Sequence, residues 1–217
     1  MAVECEFQWY AKLKGAEDKP TPEKLAPIFP AGIVSVVLQE QFQMKLVTEK
    51  VEKAIVRSRM KTPCDGLFHE VGTPTYHFEH KVALPNTAGQ NEPYLAGSEE
   101  IHLIYKAIGS GLVKYRVSYP CIISLTDVHG VVTDYETLWE VDVFVKPDGY
   151  LHEWVKVDVE IPEAIAEQVL YHVKHDTGLV KLSAFPLPVV DMFDATYGFI
   201  APENQARVDS ILAQVRH

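Results

Sequence analysis

Residues 139–161 read WEVDVFVKPDGYLHEWVKVDVEI, and their alternation points to two consecutive β-strands. Apolar and polar side chains take turns along the stretch, which is the pattern of a strand with one buried face. Pro147, Asp148 and Gly149 separate the two alternating halves and are typical of a turn. The sequence therefore predicts an antiparallel pair with one apolar and one polar face. The polar face carries Glu140, Asp142, Phe144, Lys146, Trp154, Lys156, Asp158 and Glu160.

The same alternation recurs outside this pair, so we expect about eight antiparallel strands in a single domain over residues 1–217. The other expected strands cover residues 3–13, 54–61, 76–82 and 112–119, with two more near 33–46 and 100–108. So many strands with apolar outer faces need covering elements, which helices packed outside a barrel would provide. The expected fold is thus α+β: an eight-stranded antiparallel barrel or tunnel with a polar lumen and a few helices outside.

Three helices are expected at the edges of the domain. The first begins near Pro22 with Thr21 as its N-cap, and the second runs over about 162–175. The third is a C-terminal segment over about 202–217, where apolar residues recur at helical spacing. The turn-rich stretch 85–98 is expected to be a loop.

Composition and charge disfavour several classes of function. Hydrophobic residues make up 47% of the 217-residue chain, which is typical of a globular domain and not of a disordered one. The net charge of −10 disfavours a broad nucleic-acid-binding surface, which needs a basic face. No apolar run approaches the roughly 18 residues of a membrane span, and the N-terminus lacks the pattern of a secretory signal. Cys5, Cys64 and Cys121 favour unpaired thiols in a reducing compartment, so we expect a cytoplasmic protein.

Like charges share strand faces along several of the expected strands. The pairs are Glu4 with Glu6, Arg57 with Arg59, Lys114 with Arg116, and Asp158 with Glu160. The simplest interpretation is a solvated face, because one face of an antiparallel sheet usually meets water. Charges two residues apart on a strand lie about 7 Å apart and repel by roughly 2 kcal/mol at an effective dielectric of about 20. In an enclosed lumen this repulsion must be offset, by a cation near the carboxylates and by an anion near the basic pairs.

The chemistry of these side chains indicates which ions would offset the repulsion between like charges. Carboxylate oxygens suit hard divalent cations such as Mg²⁺ or Mn²⁺. Arginine and lysine suit phosphate oxygens, arginine through its planar fork and lysine as a point charge. A metal flanked by phosphate-binding cations is an arrangement used for phosphoryl-group chemistry.

Four segments, in this order along the chain, resemble motifs of the CYTH, or triphosphate tunnel metalloenzyme, superfamily. Glu4-Cys5-Glu6 resembles the ExExK motif of its first strand, and Arg57-Ser58-Arg59 resembles its arginine-bearing strand. Lys114-Tyr115-Arg116 resembles the Lys-x-Arg strand found further on. Residues 139–161 resemble the WEVDVF segment, short turn and acidic ExE strand of family members. The matches span residues 3–161, about three quarters of the chain.

The resemblance implies an eight-stranded tunnel that hydrolyses a triphosphate with the help of Mg²⁺ or Mn²⁺. The implied substrate is inorganic triphosphate, thiamine triphosphate, or a nucleoside or RNA 5′-triphosphate, and a homodimer is left open. The implied metal ligands are Glu4, Glu6, Asp158 and Glu160. The implied phosphate-binding residues are Arg57, Arg59, Lys81, Lys114 and Arg116. The implied catalytic residues are Glu4, Glu6 and Lys114.

Two departures from the family pattern leave other functions open. Gln8 stands where the family motif has a lysine, and Lys12 and Lys156 are the candidates to replace it. Residues 174–217 carry no clear family motif. The alternative function is a protein that binds a nucleotide or polyphosphate on the same scaffold without cleaving it. A β-sandwich interaction module without a small ligand is a second alternative. A zinc site at His77 and His80 is disfavoured, because residues three apart on a strand face opposite ways.

Overall fold

The structure, a computed structural model, describes residues 6–16, 20–48, 51–83, 90–91, 94–195 and 202–217. Within these ranges, side chains are not described for residues 45–48, 51–54, 80–83, 90–91, 94–95 and 202. Two of the expected site residues are affected. Glu4 lies outside the described residues, and Lys81 lies on a described strand, opposite Ile55, at a position whose side chain is not described.

The described residues form eleven strands and four α-helices. The strands are β1 (Glu6–Leu13), β2 (Ser35–Thr48), β3 (Val51–Cys64), β4 (Thr75–Ala83), β5 (Gln90–Asn91), β6 (Tyr94–Ala96), β7 (Ser110–Thr126), β8 (Val132–Val145), β9 (Leu151–Glu160), β10 (Val180–Leu182) and β11 (Val189–Asp194). The helices are α1 (Pro22–Leu25), α2 (Glu99–Ile108), α3 (Ala166–Lys174) and α4 (Pro202–Val215). Short 3₁₀ turns cover Ala26–Ile28 and Glu163–Ile165.

All eleven strands belong to one antiparallel sheet with the order β11-β1-β9-β8-β7-β2-β3-β4-β5, to which β10 adds beside β7 and β6 beside β4. This confirms the α+β class, and eight of the strands have six residues or more. Among the described residues no ladder joins β11 to β5, so the described part of the sheet is open at these two edges. The sandwich fold of the second alternative is not observed, because a sandwich needs two sheets and the described strands form a single one.

The expected strand alternation is confirmed in the central strands, where one face is mostly apolar. Six valines there have no exposed surface: Val117, Val141, Val143, Val155, Val157 and Val159. The helices α1 and α3 contribute Leu25 and Val169 to the same core cluster. The apolar face of the sheet is thus the main core, and the polar side chains point to the other face.

Residues 100–108 form helix α2, so the expected strand is wrong. Ser98 caps this helix, because its hydroxyl accepts a hydrogen bond from the amide of Ile101 at 3.3 Å. His102 and Tyr105, three residues apart, are the buried side chains of the helix. The spacing of three, together with the capping serine, was the signal that an interpretation based on alternation missed.

Helix α4 confirms the expected C-terminal helix, but it packs against the polar face of the sheet and not outside it. Its apolar residues join a second core cluster with residues of β1, β8 and β11: Tyr10, Phe144, Phe193, Val208, Ile211 and Val215. Tyr10 and Phe144 stand among the charged residues of the polar face, with ring centroids 6.4 Å apart. These rings form an apolar patch at one end of an otherwise charged surface, and α4 packs against it.

The other expected helices and turns are confirmed, and the expected loop 85–98 is confirmed only in part. α1 begins at Pro22 after Thr21, as expected, and the second expected helix begins as a 3₁₀ turn and continues as α3. The turn at Gly149 is confirmed, with a positive φ of 85°. The expected loop 85–98 contains the short strands β5 and β6, and its residues 85–89 and 92–93 lie outside the described ones. None of the described helices is long and apolar enough to cross a membrane.

A substitution at the start of β7 tests the close packing of this sheet. A Cβ at Gly111 would stand 2.3 Å from Cδ1 of Phe42 and 2.5 Å from the carbonyl oxygen of Gln41. We expect Gly111→Ala to lower the free energy of unfolding by about 1–3 kcal/mol in denaturant titrations. Gly66→Ala is the matched control, because a Cβ there meets nothing within 4 Å. Equal stabilities of the two variants would contradict this packing.

Candidate functional site

The polar face of the sheet holds a cavity of about 260 Å³. It is lined by Glu6, Tyr10, Gln41, Arg57, Arg59, Leu112, Lys114, Arg116, Glu140, Asp142, Phe144, Lys156, Asp158, Glu160 and Leu212. Five of these side chains are basic and five are acidic, so opposite charges meet in one small volume. Leu212 belongs to α4, which therefore covers the apolar end of the cavity.

Strand register brings the central charges together. Asp142 lies directly opposite Arg116 on one side and Lys156 on the other, so these three residues form a row across β7, β8 and β9. Because alternate residues share a face, the neighbouring polar positions of each strand extend the row into a charged patch. Glu6 lies opposite Glu160, which places two of the expected metal ligands on neighbouring strands.

Asp142 is the centre of the network and has no exposed surface. It accepts a hydrogen bond from Lys114 and two from Arg116, at 2.7 Å from Nε and 3.0 Å from Nη2. Burial acts to raise the pKa of Asp142, but Arg116 and Lys114 outweigh it and hold that pKa well below its usual range. Arg116 also donates to Glu140, and these carboxylates raise its own pKa against the opposing effect of burial.

Lys114 is a lysine that can exchange its proton near neutral pH. Burial and the neighbouring charge of Arg116 lower its pKa from 10.5 to about 7, although Asp142 opposes the shift. A lysine with such a pKa can act as a proton donor or acceptor under physiological conditions. The expected catalytic role of this residue is therefore chemically reasonable.

Asp158, one of the expected metal ligands, is buried and only half satisfied. Its Oδ2 accepts a hydrogen bond from Lys156 at 2.8 Å and lies 3.5 Å from Nη2 of Arg116. Its Oδ1 is buried and has no hydrogen-bond partner. Burial raises the pKa of Asp158 despite the ammonium of Lys156, and the carboxylates of Glu6 and Asp142 add to the rise. An unsatisfied carboxylate oxygen beside another carboxylate is a natural position for a cation.

The expected metal ligands fit such an ion in part. Among the described residues, no group of three or more His, Cys, Asp or Glu side chains is arranged to hold a metal ion. Mg²⁺ often takes only one or two carboxylates and completes its shell with water and substrate phosphates. The carboxylates of Glu6, Asp158 and Glu160 line one cavity and suit this mode of binding.

A second charge cluster holds the two arginines of β3. Glu79 of β4 has no exposed surface and accepts hydrogen bonds from Arg57 Nε at 2.6 Å, while Nη1 of Arg59 lies 3.1 Å from its Oε1. The repulsion between these arginines was expected to be offset by a bound anion, and the protein itself supplies part of that offset. Glu79 neutralises one of the two arginine charges, and Asp142 and Glu140 pair with the basic residues of β7.

The structure distinguishes the two lysines that are candidates to replace the family's motif lysine at Gln8. Lys12 pairs with Glu153 at 3.0 Å, and neither residue lines the cavity. Lys156 lines the cavity, and carboxylates led by Asp158 raise its pKa against the effect of burial. Of the two lysines, Lys156 therefore lies in the cavity and Lys12 lies outside it.

Sequence reasoning brought together most of the charged residues of the cavity but missed some of them as site residues. Alternation placed Glu140 and Asp142 on the polar face of their strand without assigning them a role, and Lys156 was considered only as a replacement for the motif lysine. Glu79, which lies beside the cavity and pairs with its arginines, was not singled out. Their positions across from basic residues on neighbouring strands depend on register, which the pattern of one strand does not contain. Two expected residues are not tested by the site geometry, because Glu4 and the side chain of Lys81 are not described.

Comparisons with known proteins give distant likenesses. No family model matches the chain, and no curated protein matches it. Among solved structures, the chain is similar to the hypothetical protein NE1496, with 17% identity over 96% of this chain and 99% of that one and a TM-score of 0.38. It is also similar to the PH1819 protein from Pyrococcus horikoshii OT3, with 12% identity over 82% of this chain and 93% of that one and a TM-score of 0.38. TM-scores this low carry no conclusion about function.

The cluster around Glu79 makes a prediction about stability. Glu79→Gln leaves the buried guanidinium groups of Arg57 and Arg59 without their shared countercharge. We expect the variant to lose about 3–5 kcal/mol of unfolding free energy in denaturant titrations. Glu153→Gln, which breaks a partly exposed ion pair, is the control and should lose less than about 1 kcal/mol. Similar losses in both variants would show that the cluster is not a buried one.

The lowered pKa of Lys114 makes a prediction about pH. Between about pH 7 and 10.5, the unfolded chain still holds the Lys114 proton that the folded chain has released. The unfolding free energy of the wild type should therefore rise with pH over this window, relative to that of Lys114→Met. Unfolding curves at several pH values measure the difference. A difference that stays constant from pH 7 to pH 10 would contradict the shift.

Proposed function

We propose that this chain is a metal-dependent hydrolase of a triphosphate-containing substrate, of the CYTH or triphosphate tunnel metalloenzyme type. The observation that carries the proposal is the cavity of about 260 Å³ in which five basic side chains meet the carboxylates of Glu6, Asp158 and Glu160. Such a cavity offers separate positions for phosphate oxygens and for a divalent cation. The ordered sequence motifs described above support the same reaction class.

The basic residues would hold the phosphates. Arg57, Arg59, Lys114 and Arg116 line the cavity, and Lys156 adds a fifth cation. Each guanidinium has five N–H donors, so phosphate oxygens would share these groups with the carboxylates of Glu79 and Asp142. Lys81 belongs to the same proposal through the sequence resemblance.

The carboxylates would hold Mg²⁺ or Mn²⁺. Glu6, Asp158 and Glu160 are the described residues proposed as ligands, and Glu4 joins them through the sequence resemblance. When bound, the metal neutralises charge on the phosphoryl oxygens and activates water. The buried Oδ1 of Asp158, which has no hydrogen-bond partner, would be satisfied by such a cation.

The remaining chemistry falls to the chain's own residues. Arg116 and Arg57 would bind and orient the phosphates and stabilise the charge that builds on the transferred group. Lys114, with its pKa of about 7, would hold or release a proton beside the substrate. The substrate class remains a triphosphate that is inorganic, of thiamine, or of a nucleoside or RNA 5′-end. A cytoplasmic, reducing location belongs to the same proposal, since Cys64 and Cys121 are free thiols.

A second candidate function is binding of a nucleotide or polyphosphate without chemistry. The observation that favours it is the internal pairing of the basic residues, because Glu79 and Asp142 already neutralise much of the charge that a substrate would meet. The departure at Gln8 favours it as well. The two functions make different predictions for the same variants.

Turnover by carboxylate variants tests the hydrolase. Glu160→Gln removes a proposed metal ligand at an exposed position, so the fold should stay intact. We expect divalent-dependent release of phosphate to fall by about 100-fold or more, whereas Glu153→Gln outside the cavity keeps wild-type turnover. Melting temperatures of both variants control for folding. Undiminished turnover in Glu160→Gln would rule out the proposed metal site.

Binding by an arginine variant tests the second candidate. If the protein only binds its ligand, tripolyphosphate should bind saturably, with no product after long incubation with Mg²⁺ or Mn²⁺. Arg57→Gln should weaken this binding by about tenfold or more, because a charge-assisted contact is lost. Isothermal titration measures the affinity, and a thermal scan confirms that the variant is folded. Release of phosphate by the wild type would exclude the second candidate.

A further inference from the structure

Strand β3 carries a third cation on the polar face, beyond the arginines of the cavity. Lys61 follows Arg59 by two residues, so it shares the polar face of the strand. Its neighbours in the adjoining strands are Gln39 and Thr75, which are polar and uncharged. Lys61 does not line the cavity, so it extends the basic wall past the end where Arg59 stands.

Lys61 differs from the basic residues inside the cavity because it has no countercharge in contact. Within the described part of the chain, its ammonium makes neither a hydrogen bond nor an ion pair. The five basic residues of the cavity all contact a carboxylate within 4 Å, as Arg59 contacts Glu79. Lys61 is nevertheless partly buried, and burial, followed by the charges of Arg59 and Arg116, lowers its pKa. The ammonium of Lys61 is therefore partly buried beside other cations and has no carboxylate of the described residues in contact to offset the cost.

A second unsatisfied donor stands beside it. The Nε of Arg59 is buried and has no hydrogen-bond partner, although the other nitrogens of that guanidinium face Glu79 and Gln41. Residues two apart on a strand lie about 7 Å apart on one face, close enough for one tetrahedral anion to lie between their side chains. A buried donor without a partner is rare and calls for a ligand or a water.

We propose that Lys61 and the Nε of Arg59 form a second anion subsite, past the end of the cavity, which binds one phosphate group. The inference rests on the proposed function for the triphosphate in the cavity, while the subsite itself rests on these two donors. Phosphate suits them because it presents several oxygens to an arginine edge and to an ammonium at once. The group comes from one of two sources: the terminal phosphate of a chain longer than three units, or the phosphate released by hydrolysis.

The overall charge of the protein makes the subsite testable. At a net charge of −10, an anion has little reason to bind away from a local cationic site. Lys61→Met removes an unpaired charge and leaves no partner unsatisfied, so the variant should fold. Lys61→Arg keeps the charge, and Lys181→Met is the matched control, because Lys181 is an exposed lysine of β10.

The experiment is isothermal titration in the presence of a chelator with orthophosphate, tripolyphosphate and linear tetrapolyphosphate. If the subsite takes the terminal phosphate of a longer chain, tetrapolyphosphate binds the wild type more tightly than tripolyphosphate. Lys61→Met then weakens tetrapolyphosphate binding by about tenfold and tripolyphosphate binding by less than about twofold. If the subsite takes the released product, the two chains bind equally and Lys61→Met weakens orthophosphate binding by about tenfold. In both cases Lys61→Arg restores binding.

Other outcomes overturn the proposal. Affinities of Lys61→Met that match those of Lys181→Met for all three anions would show that Lys61 binds no phosphate. Absence of binding of all three anions to the wild type would overturn the subsite together with the proposed function. A Lys61-dependent affinity in a protein that releases no phosphate with Mg²⁺ or Mn²⁺ would overturn the hydrolase alone and leave the subsite in place.

Discussion

The ion pairs between Asp142 and the basic residues of β7 are the contacts on which the rest of the site depends. Asp142 is fully buried, and a buried carboxylate is tolerated only when it is paired and hydrogen-bonded. Arg116 and Lys114 meet this condition from the neighbouring strand. Because each strand exposes alternate residues to each face, pairing these charges also directs the valines of the same strands into the core. The register that satisfies Asp142 thus forms the core and the polar face together.

The polar face also contains charged groups that no neighbouring strand fully satisfies in the described structure, and these groups lie in or beside the cavity. Most charged groups of the polar face are satisfied by a neighbouring strand, as Arg57 is by Glu79. Asp158 Oδ1 and Arg59 Nε are buried without a hydrogen-bond partner in the described structure, and the ammonium of Lys61 has no countercharge in contact. One of these atoms needs a cation and the other two need an anion. The proposed metal and phosphates would occupy the positions where the protein leaves its own charges incomplete.

Sequence patterns could predict the strands but not the partners of their side chains. The alternation over 139–161 was sufficient for β8, β9 and the turn between them, because the period of a strand is local information. Glu79 could not be recognised as the countercharge of two arginines, since these contacts join residues twenty or more positions apart and depend on register. The packing of α4 on the polar face could not be predicted from the sequence for a similar reason. Tyr10 and Phe144 lie on different strands, and only the folded sheet joins them into an apolar patch.

The most direct test of the hydrolase is the release of phosphate or pyrophosphate by the wild-type protein from a small panel of substrates. The panel contains tripolyphosphate, thiamine triphosphate, ATP and a 5′-triphosphorylated RNA, each with Mg²⁺, Mn²⁺ or a chelator. We expect release from at least one substrate with a divalent cation and none with the chelator. Release that is independent of the metal, or absence of release from every substrate, would contradict this expectation.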